Sequence, residues 1–333
     1  MDAPRSTNAQ GASTMLNRLR AGSPGWTTRA AVLAIVVVAV VAAVLLTPNF
    51  LTVDNFRAIL RNAAIVGIVA VAMTPVTLSG NFVSLAITHT AMGAMVGFVV
   101  LIGWGWPQPL AILAVVAGTV AVGVIQGIVV AAGLNPIITT LAAGAIIFGV
   151  VSTVTQGGIV RVGDSLISWG GGEIAGVPLE VLVFLLFTAL VALLMSRTVM
   201  GRETTLVGAN RATAHVSGIS FARVTILAFA IFSVGLAIAG ILSGAAFGQA
   251  SAQSFSGLTI NVIAAVLVGG TAIQGGAGSP LRSAAGALVI AVISNMMILN
   301  NFSTGGRLAV QGGVVVAIVV LLDRQRRRGG RRT

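Results

Sequence analysis

Residues 200–223 read MGRETTLVGANRATAHVSGISFAR, the longest polar interruption in an otherwise apolar chain. Upstream, residues 178–195 carry a single charge, Glu180, and downstream, residues 224–247 carry none. Each flank has the length at which a helix crosses a hydrocarbon core of about 30 Å. The interruption is therefore where the chain leaves a membrane. Within it, Asn210 is a suitable N-cap for two helical turns through Val216, and Ser217-Gly218 stop them. A short helix held between two spans suits docking better than chemistry.

Composition sets the class. Of 333 residues, 56% are hydrophobic and only 8% charged, and the mean hydropathy is +1.04. An ordinary soluble domain is excluded, and the fold class is all-α, a polytopic transmembrane helical bundle. At about 20 residues per span, the length accommodates about ten spans. The chain has no cysteine, which excludes disulfides and thiolate-ligated metals. It has no lysine either, since all nineteen basic residues are arginine. That removes the Walker A lysine and the Schiff-base lysine together, so no ATP is bound here in a P-loop and no cofactor is expected. The net charge of +12 is concentrated at the flanks. Arg18, Arg20 and Arg29 precede the first apolar run, and Arg324, Arg326, Arg327, Arg328, Arg331 and Arg332 follow the last. These clusters read as positive-inside flanks and not as a nucleic-acid site.

Residues 1–28, rich in Ser, Gly, Pro and Arg, form a polar arm expected to be disordered. The transmembrane domain follows over 29–323, and 324–333 form a basic tail. Spans are predicted over 30–46, 58–78, 82–102, 110–132, 137–155, 178–195, 224–247, 259–273, 283–299 and 308–322. Trp104 and Trp106 mark an interface, Gly133-Leu134-Asn135-Pro136 a tight turn, and 156–177 a Gly-rich external loop. Gly235, Gly240 and Gly244 offer close helix contact. The run 259–273 is short and broken by Gly269-Gly270, so it reads as a full span, a tilted one or a re-entrant piece. Parity favours a crossing: only then do Arg29, the 200–223 stretch and the Arg tail share one side, giving ten spans with both termini cytoplasmic.

No Asp or Glu occupies the centre of a predicted span, whereas ion-coupled carriers use such a group. Uphill transport would then draw its energy from another polypeptide. A passive or gated pore is the rival reading, and an intramembrane enzyme lacks the residues. Candidates for a solute path are Asn81, Ser84, Thr88 and His89 at the start of the third span, with Asn261 and Asn295 further on. Interhelical hydrogen bonding competes with path lining at each of them. His89 stands out because a membrane-embedded imidazole is costly without a partner or water. Neither a His-Glu-x-x-His motif nor a Ser/His/Asp ordering is present, so no metal and no hydrolase site is expected. Gly269 to Gly278 lacks the strand and lysine of a phosphate cradle and reads as a helix break.

Gly201-Arg202, Gly208-Ala209-Asn210 and Ala214-His215-Val216-Ser217-Gly218-Ile219 resemble the cytoplasmic coupling segment of ribose-type ABC importer permeases, a group in the superfamily of branched-chain amino-acid permeases. Ile263-Ala264-Ala265-Val266-Leu267-Val268-Gly269-Gly270-Thr271 and Gly275-Gly276-Ala277-Gly278-Ser279 extend the resemblance, which covers roughly residues 50 to 322. Three departures stand out. Ala209 replaces a Gly, Arg211 replaces a commonly acidic residue, and Gly80-Asn81-Phe82-Val83-Ser84-Leu85-Ala86 lacks the Asp of the family's Ile-Asp-Leu-Ser-Val-Gly-Ser. The resemblance implies a multi-pass permease of the bacterial cytoplasmic membrane that moves a monosaccharide or related small polar solute by alternating access. It further implies a second permease copy, identical or related, an ATP-binding subunit and an extracytoplasmic solute-binding protein. Contact with the ATPase would fall on Gly201, Arg202, Gly208, Asn210, Arg211, Ala214, His215, Ser217 and Gly218. A branched-chain amino-acid importer is the neighbouring alternative.

Overall fold

The computed structural model describes residues 50–329 except 164–166, 168 and 273. The polar arm and the span expected over 30–46 lie outside the described residues. Eight apolar helices build the bundle: α1 (Val53–Leu78), α2 (Ile87–Gly103), α3 (Gln108–Ala131), α4 (Pro136–Thr155), α5 (Leu179–Arg197), α8 (Phe221–Phe247), α9 (Leu258–Val268) and α10 (Pro280–Leu299). Two short helices, α6 (Val199–Ala209) and α7 (Arg211–Val216), fill the polar interruption, and α11 (Thr304–Gly329) closes the chain. Six of these helices are long and apolar enough to cross a membrane, while α2 and α9 are shorter.

The connections define two ends. At one, β1 (Ile159–Arg161) pairs antiparallel with β4 (Gln249–Ser251), and β2 (Glu173–Ile174) with β3 (Val177–Pro178). Here the Trp169 indole donates to Gln108 at the head of α3 (2.7 Å), and Glu173 pairs with Arg57 and Arg61 of α1 at 3.5 and 3.4 Å. We call this the loop end. At the other, the C-terminus of α1 meets α6, the start of α8 and the turn after α9. This is the junction end. The eight apolar helices alternate between the two, with α6 and α7 together at the junction end.

Helices α1 and α8 are enclosed by the others, whereas α3, α4 and α5 turn Leu, Ile and Val outward. Lipid tails are as apolar as leucine, so packing and hydrogen bonds hold such helices together. The α8 glycines supply the closeness. A Cβ on Gly240 would lie 2.6 Å from the Ala91 carbonyl of α2, and one on Gly235 would strike the Ala72 methyl of α1. From α3, a Cβ on Gly127 would lie 2.9 Å from the Ile226 Cα of α8. Hydroxyl pairs add to this, with Thr74 of α1 bonded to Ser283 of α10 at 2.9 Å.

Two elements differ from the sequence expectation. The third span was expected from residue 82, but α2 starts at Ile87. Gly80 takes a φ of +75°, and Ser84 Oγ accepts from the Ala86 amide at 3.2 Å; such local bonds compete with a helix. The run expected over 259–273 is helical only over Leu258–Val268, 11 residues and hence about 16 Å. It stops where a Cβ on Gly269 would lie 2.5 Å from the Arg282 carbonyl oxygen and Gly270 turns to a φ of +71°.

Candidate functional site

Capping residues shape the polar interruption. Thr198 Oγ1 accepts from the Gly201 amide at 3.4 Å and starts α6, a helix the sequence reading did not anticipate. The chain is extended at Asn210, whose side-chain oxygen accepts from the Thr213 amide at 3.1 Å. That bond is the expected N-cap of α7. At its far end the Gly218 amide donates to His215 O and the Ile219 amide to Ala214 O, both at 3.0 Å. Gly218 sits at a φ of +76° with nothing near its missing Cβ, the left-handed conformation that ends helices. Ala214 is buried with Val207 and Val224. Of the nine residues named for coupling, Gly201, Gly208 and Ala214 therefore face the bundle, while Arg202, Asn210, Arg211, His215, Ser217 and Gly218 are on the surface. Val216, 84% exposed, is the apolar tip of α7.

Beneath this pair of helices four glycines meet. The Gly276 amide donates to Leu78 O at 2.9 Å. A Cβ on Gly208 would collide with that same carbonyl and lie 2.6 Å from Gly276 N, and one on Gly275 would lie 2.5 Å from Gly80 Cα. Segments from α1, α6 and the turn after α9 thus touch backbone to backbone. Arg211 fastens α7 to them: its Nη2 donates to Gly80 O at 3.1 Å and to Asn81 Oδ1 at 3.3 Å. The guanidinium lies over the Phe221 ring at 4.1 Å. Partial burial lowers its pKa from the ordinary arginine value, and it stays protonated because so basic a group holds its charge. Asn81 Nδ2 in turn donates to Ser79 Oγ at 2.9 Å and Thr225 Oγ1 at 3.2 Å.

The structure disperses the six residues named for a solute path. Asn81 belongs to the junction just described. Ser84 is buried in the segment before α2. Thr88 bonds Thr259 reciprocally, hydroxyl to hydroxyl at 2.9 Å, joining the first turns of α2 and α9. His89 stands edge-on to Phe148 of α4, with ring centroids 5.7 Å apart. Asn295 Nδ2 donates to Asn55 Oδ1 at 2.8 Å, pairing α10 with α1 near the loop end. Asn261 lines a cavity of about 220 Å³ between α1, α9, α10 and α11. Its other polar walls, Asn62, Ser256, Ser294, Thr304, Arg307 and Gln311, were not singled out in the sequence. Arg307 lay one residue outside a predicted span, and that position was the available signal.

Residues 55–320 match the family model described as the branched-chain amino acid transport system / permease component. The chain belongs to this family. Among its relatives is the probable ABC transporter permease protein YphD of Escherichia coli, 32% identical over 76% of each chain. The ribose import permease protein RbsC of the same organism is 30% identical, covering 83% of this chain and 87% of its own. The L-arabinose transport system permease protein AraH is 28% identical over 81% and 83%.

This permease is a multi-pass protein of the bacterial cytoplasmic membrane and a transport subunit. The family match runs from the first turn of α1 well into α11, so both the junction and the cavity lie inside it.

Proposed function

We propose that this permease is the membrane-spanning part of an ATP-driven importer for a monosaccharide or a related small polar solute. Two copies, identical or related, would form the pathway. A separate ATPase docks on the surface formed by α6 and α7, and a solute-binding protein delivers cargo at the loop end. Ten spans with both termini cytoplasmic accommodate every arginine cluster. Relatives named for ribose and arabinose support the cargo class.

The observation that carries the mechanism is the fastening of α7 by Arg211 to Gly80 and Asn81. A push on the exposed tip of α7 is passed directly to the break between α1 and α2 and, through the glycine contacts, to the turn after α9. These discontinuities can move without unwinding a long helix. Closure of the ATPase pair would thereby reorient the spans. The test is co-purification of the permease with its ATPase, alongside ATP-dependent accumulation of pentoses and hexoses. Accumulation without an ATPase would instead favour the pore reading.

A further inference from the structure

We infer that the exposed guanidiniums of Arg202 and Arg223, on the two helices that flank α7 in the chain, form the charged rim of the ATPase contact, and that they fit a groove lined by carboxylates. This rests on the importer reading and names the chemistry of its ATPase partner.

The charge inventory comes first. Residues 200–223 hold three arginines, Arg202, Arg211 and Arg223, against one carboxylate, Glu203, and His215 is the remaining titratable side chain there. Arg211 is committed inward to Gly80 and Asn81. Arg202 and Arg223 are exposed, and among the described residues no carboxylate pairs with either, since Asp54 and Glu173 engage Arg57 and Arg61 at the loop end. Glu203 adjoins Arg202 in sequence, but successive helical residues do not face each other.

Both arginines also stand where their own helices disfavour a cation. Arg202 is the fourth residue of α6 and Arg223 the third of α8. The start of a helix carries partial positive charge and favours Asp or Glu, yet neither first turn holds an acidic residue. Water screens the repulsion, so the fold tolerates it. What remains is a surface of one sign, which steers an acidic partner and repels a basic one.

Position ties this charge to α7. Arg223 follows Phe221, whose ring lies 4.1 Å from the Arg211 guanidinium, and precedes Val224, which is buried with Ala214 of α7 and Val207 of α6. On α6, Arg202, Leu206 and Ala209 share the exposed face, and seven residues carry that face about 10 Å to the foot of α7. The exposed tip at Val216 supplies an apolar centre. An apolar contact with a polar rim is the anatomy of a protein interface, in which arginine is enriched.

Arg197 is a different case. Leu186, Leu190, Leu193 and Arg197 follow one another at spacings of four, three and four residues on one face of α5, and the three leucines are exposed. That stripe faces lipid and ends in a cation at headgroup level, the ordinary flank of a span.

The test uses the full permease with the ATPase that co-purifies with it. Because the chain has no lysine, Arg202→Lys or Arg223→Lys introduces its one side-chain amine and keeps the charge. A zero-length carbodiimide then joins that amine to a carboxylate in contact with it. Each of the two variants should form an amide with an Asp or Glu of the ATPase, located by mass spectrometry of the joined peptides, whereas Arg197→Lys should form none. Reversing both charges, Arg202→Glu with Arg223→Glu, should lower the ATPase recovered in 0.1 M salt by about tenfold at unchanged membrane abundance, the scale of two exposed pairs turned from attraction to repulsion. Arg161→Glu at the loop end should leave recovery unchanged. In 1 M salt the reversed and native permeases should converge, because the screening length falls from about 10 Å to about 3 Å. An ATPase complex that forms no amide at 202 or 223, or that is indifferent to the reversed charges, would overturn the inference and leave the importer standing. The same holds if recovery instead follows the phosphatidylglycerol content of a phosphatidylcholine nanodisc, which assigns both arginines to lipid headgroups. A native permease that retains no ATPase at either salt sinks the importer reading itself, and this inference with it.

Discussion

Arg211 on α7 donates to Asn81 on the segment between α1 and α2 at 3.3 Å, a bond that joins positions 130 residues apart. Both partners depart from the pattern of the family they resemble. An acidic side chain, common at position 211 in that pattern, would here face two acceptor oxygens, Gly80 O and Asn81 Oδ1.

Arg211→Glu should therefore cut ATP-dependent uptake by about tenfold, equivalent to about 1.4 kcal/mol in the limiting step, while much of the ATPase still co-purifies. Asn81→Asp should preserve uptake, because a carboxylate accepts from the guanidinium at least as well as an amide oxygen. Asn81→Leu should not. Uptake measured beside ATPase pull-down in the three variants distinguishes a mechanical fastening from a docking contact.

The glycines of the same stretch should separate by what surrounds them. A Cβ on Gly208 meets the Leu78 carbonyl and lies 2.6 Å from the Gly276 amide, and neither backbone can withdraw cheaply. Gly208→Ala should cost about 1–3 kcal/mol as overpacking and lower both thermal stability and uptake. Gly218 has open space and only its φ of +76° to defend. Gly218→Ala should cost about 1 kcal/mol. Melting curves of the detergent-solubilised variants give the ranking directly.

The long helices were legible because each is an apolar run of spanning length bounded by turn residues, and the α7 cap was legible because Asn210 and Gly218 have local roles. What could not be read was pairing at a distance. Asn81 and Asn295 look alike in sequence as amides in apolar surroundings. One bonds Thr225 and Arg211 at the junction, the other Asn55 near the loop end. The early stop of α9 was hinted at by Gly269-Gly270, but its cause is contact with the Arg282 backbone. The cavity escaped notice because its walls come from four helices, and its arginine sat at a predicted boundary where snorkelling is the ordinary explanation.

His89 gives a sharper outcome now that its neighbours are known. It packs against Phe148, and a Cβ on Gly144 would lie 3.0 Å from its Nδ1, which is buried without a hydrogen-bond partner. A buried polar atom without a partner costs free energy, so an apolar replacement loses no hydrogen bond at Nδ1. His89→Leu should keep uptake per permease near the native level and leave thermal stability unchanged or higher by up to about 1 kcal/mol. A collapse of uptake at normal abundance would put the imidazole on the solute path.

The topology can be tested without background, because the chain contains no cysteine. From the junction end, α8 runs to β4 at the loop end, and α9 returns to the turn that bonds Leu78. Pro280 then starts α10 beside Gly269, and α10 reaches Asn55 near the loop end before α11 turns back. An 11-residue α9 is too short to cross about 30 Å alone; in the proposed topology the segment from Gly248 to Gly257, which leads from β4 to the contact between Thr88 and Thr259, would supply the remaining depth. In the proposed topology four passages after α7 would return the tail to the side of α7. Single cysteines replacing Gly158, Val216 and Arg328 should accordingly react differently with a membrane-impermeant maleimide. In intact spheroplasts only the one at position 158 should be labelled, and in inverted vesicles only those at 216 and 328. Labelling at 328 in spheroplasts would mean that α9 and its preceding segment enter and leave on one face, removing one crossing and the shared side of the arginine clusters.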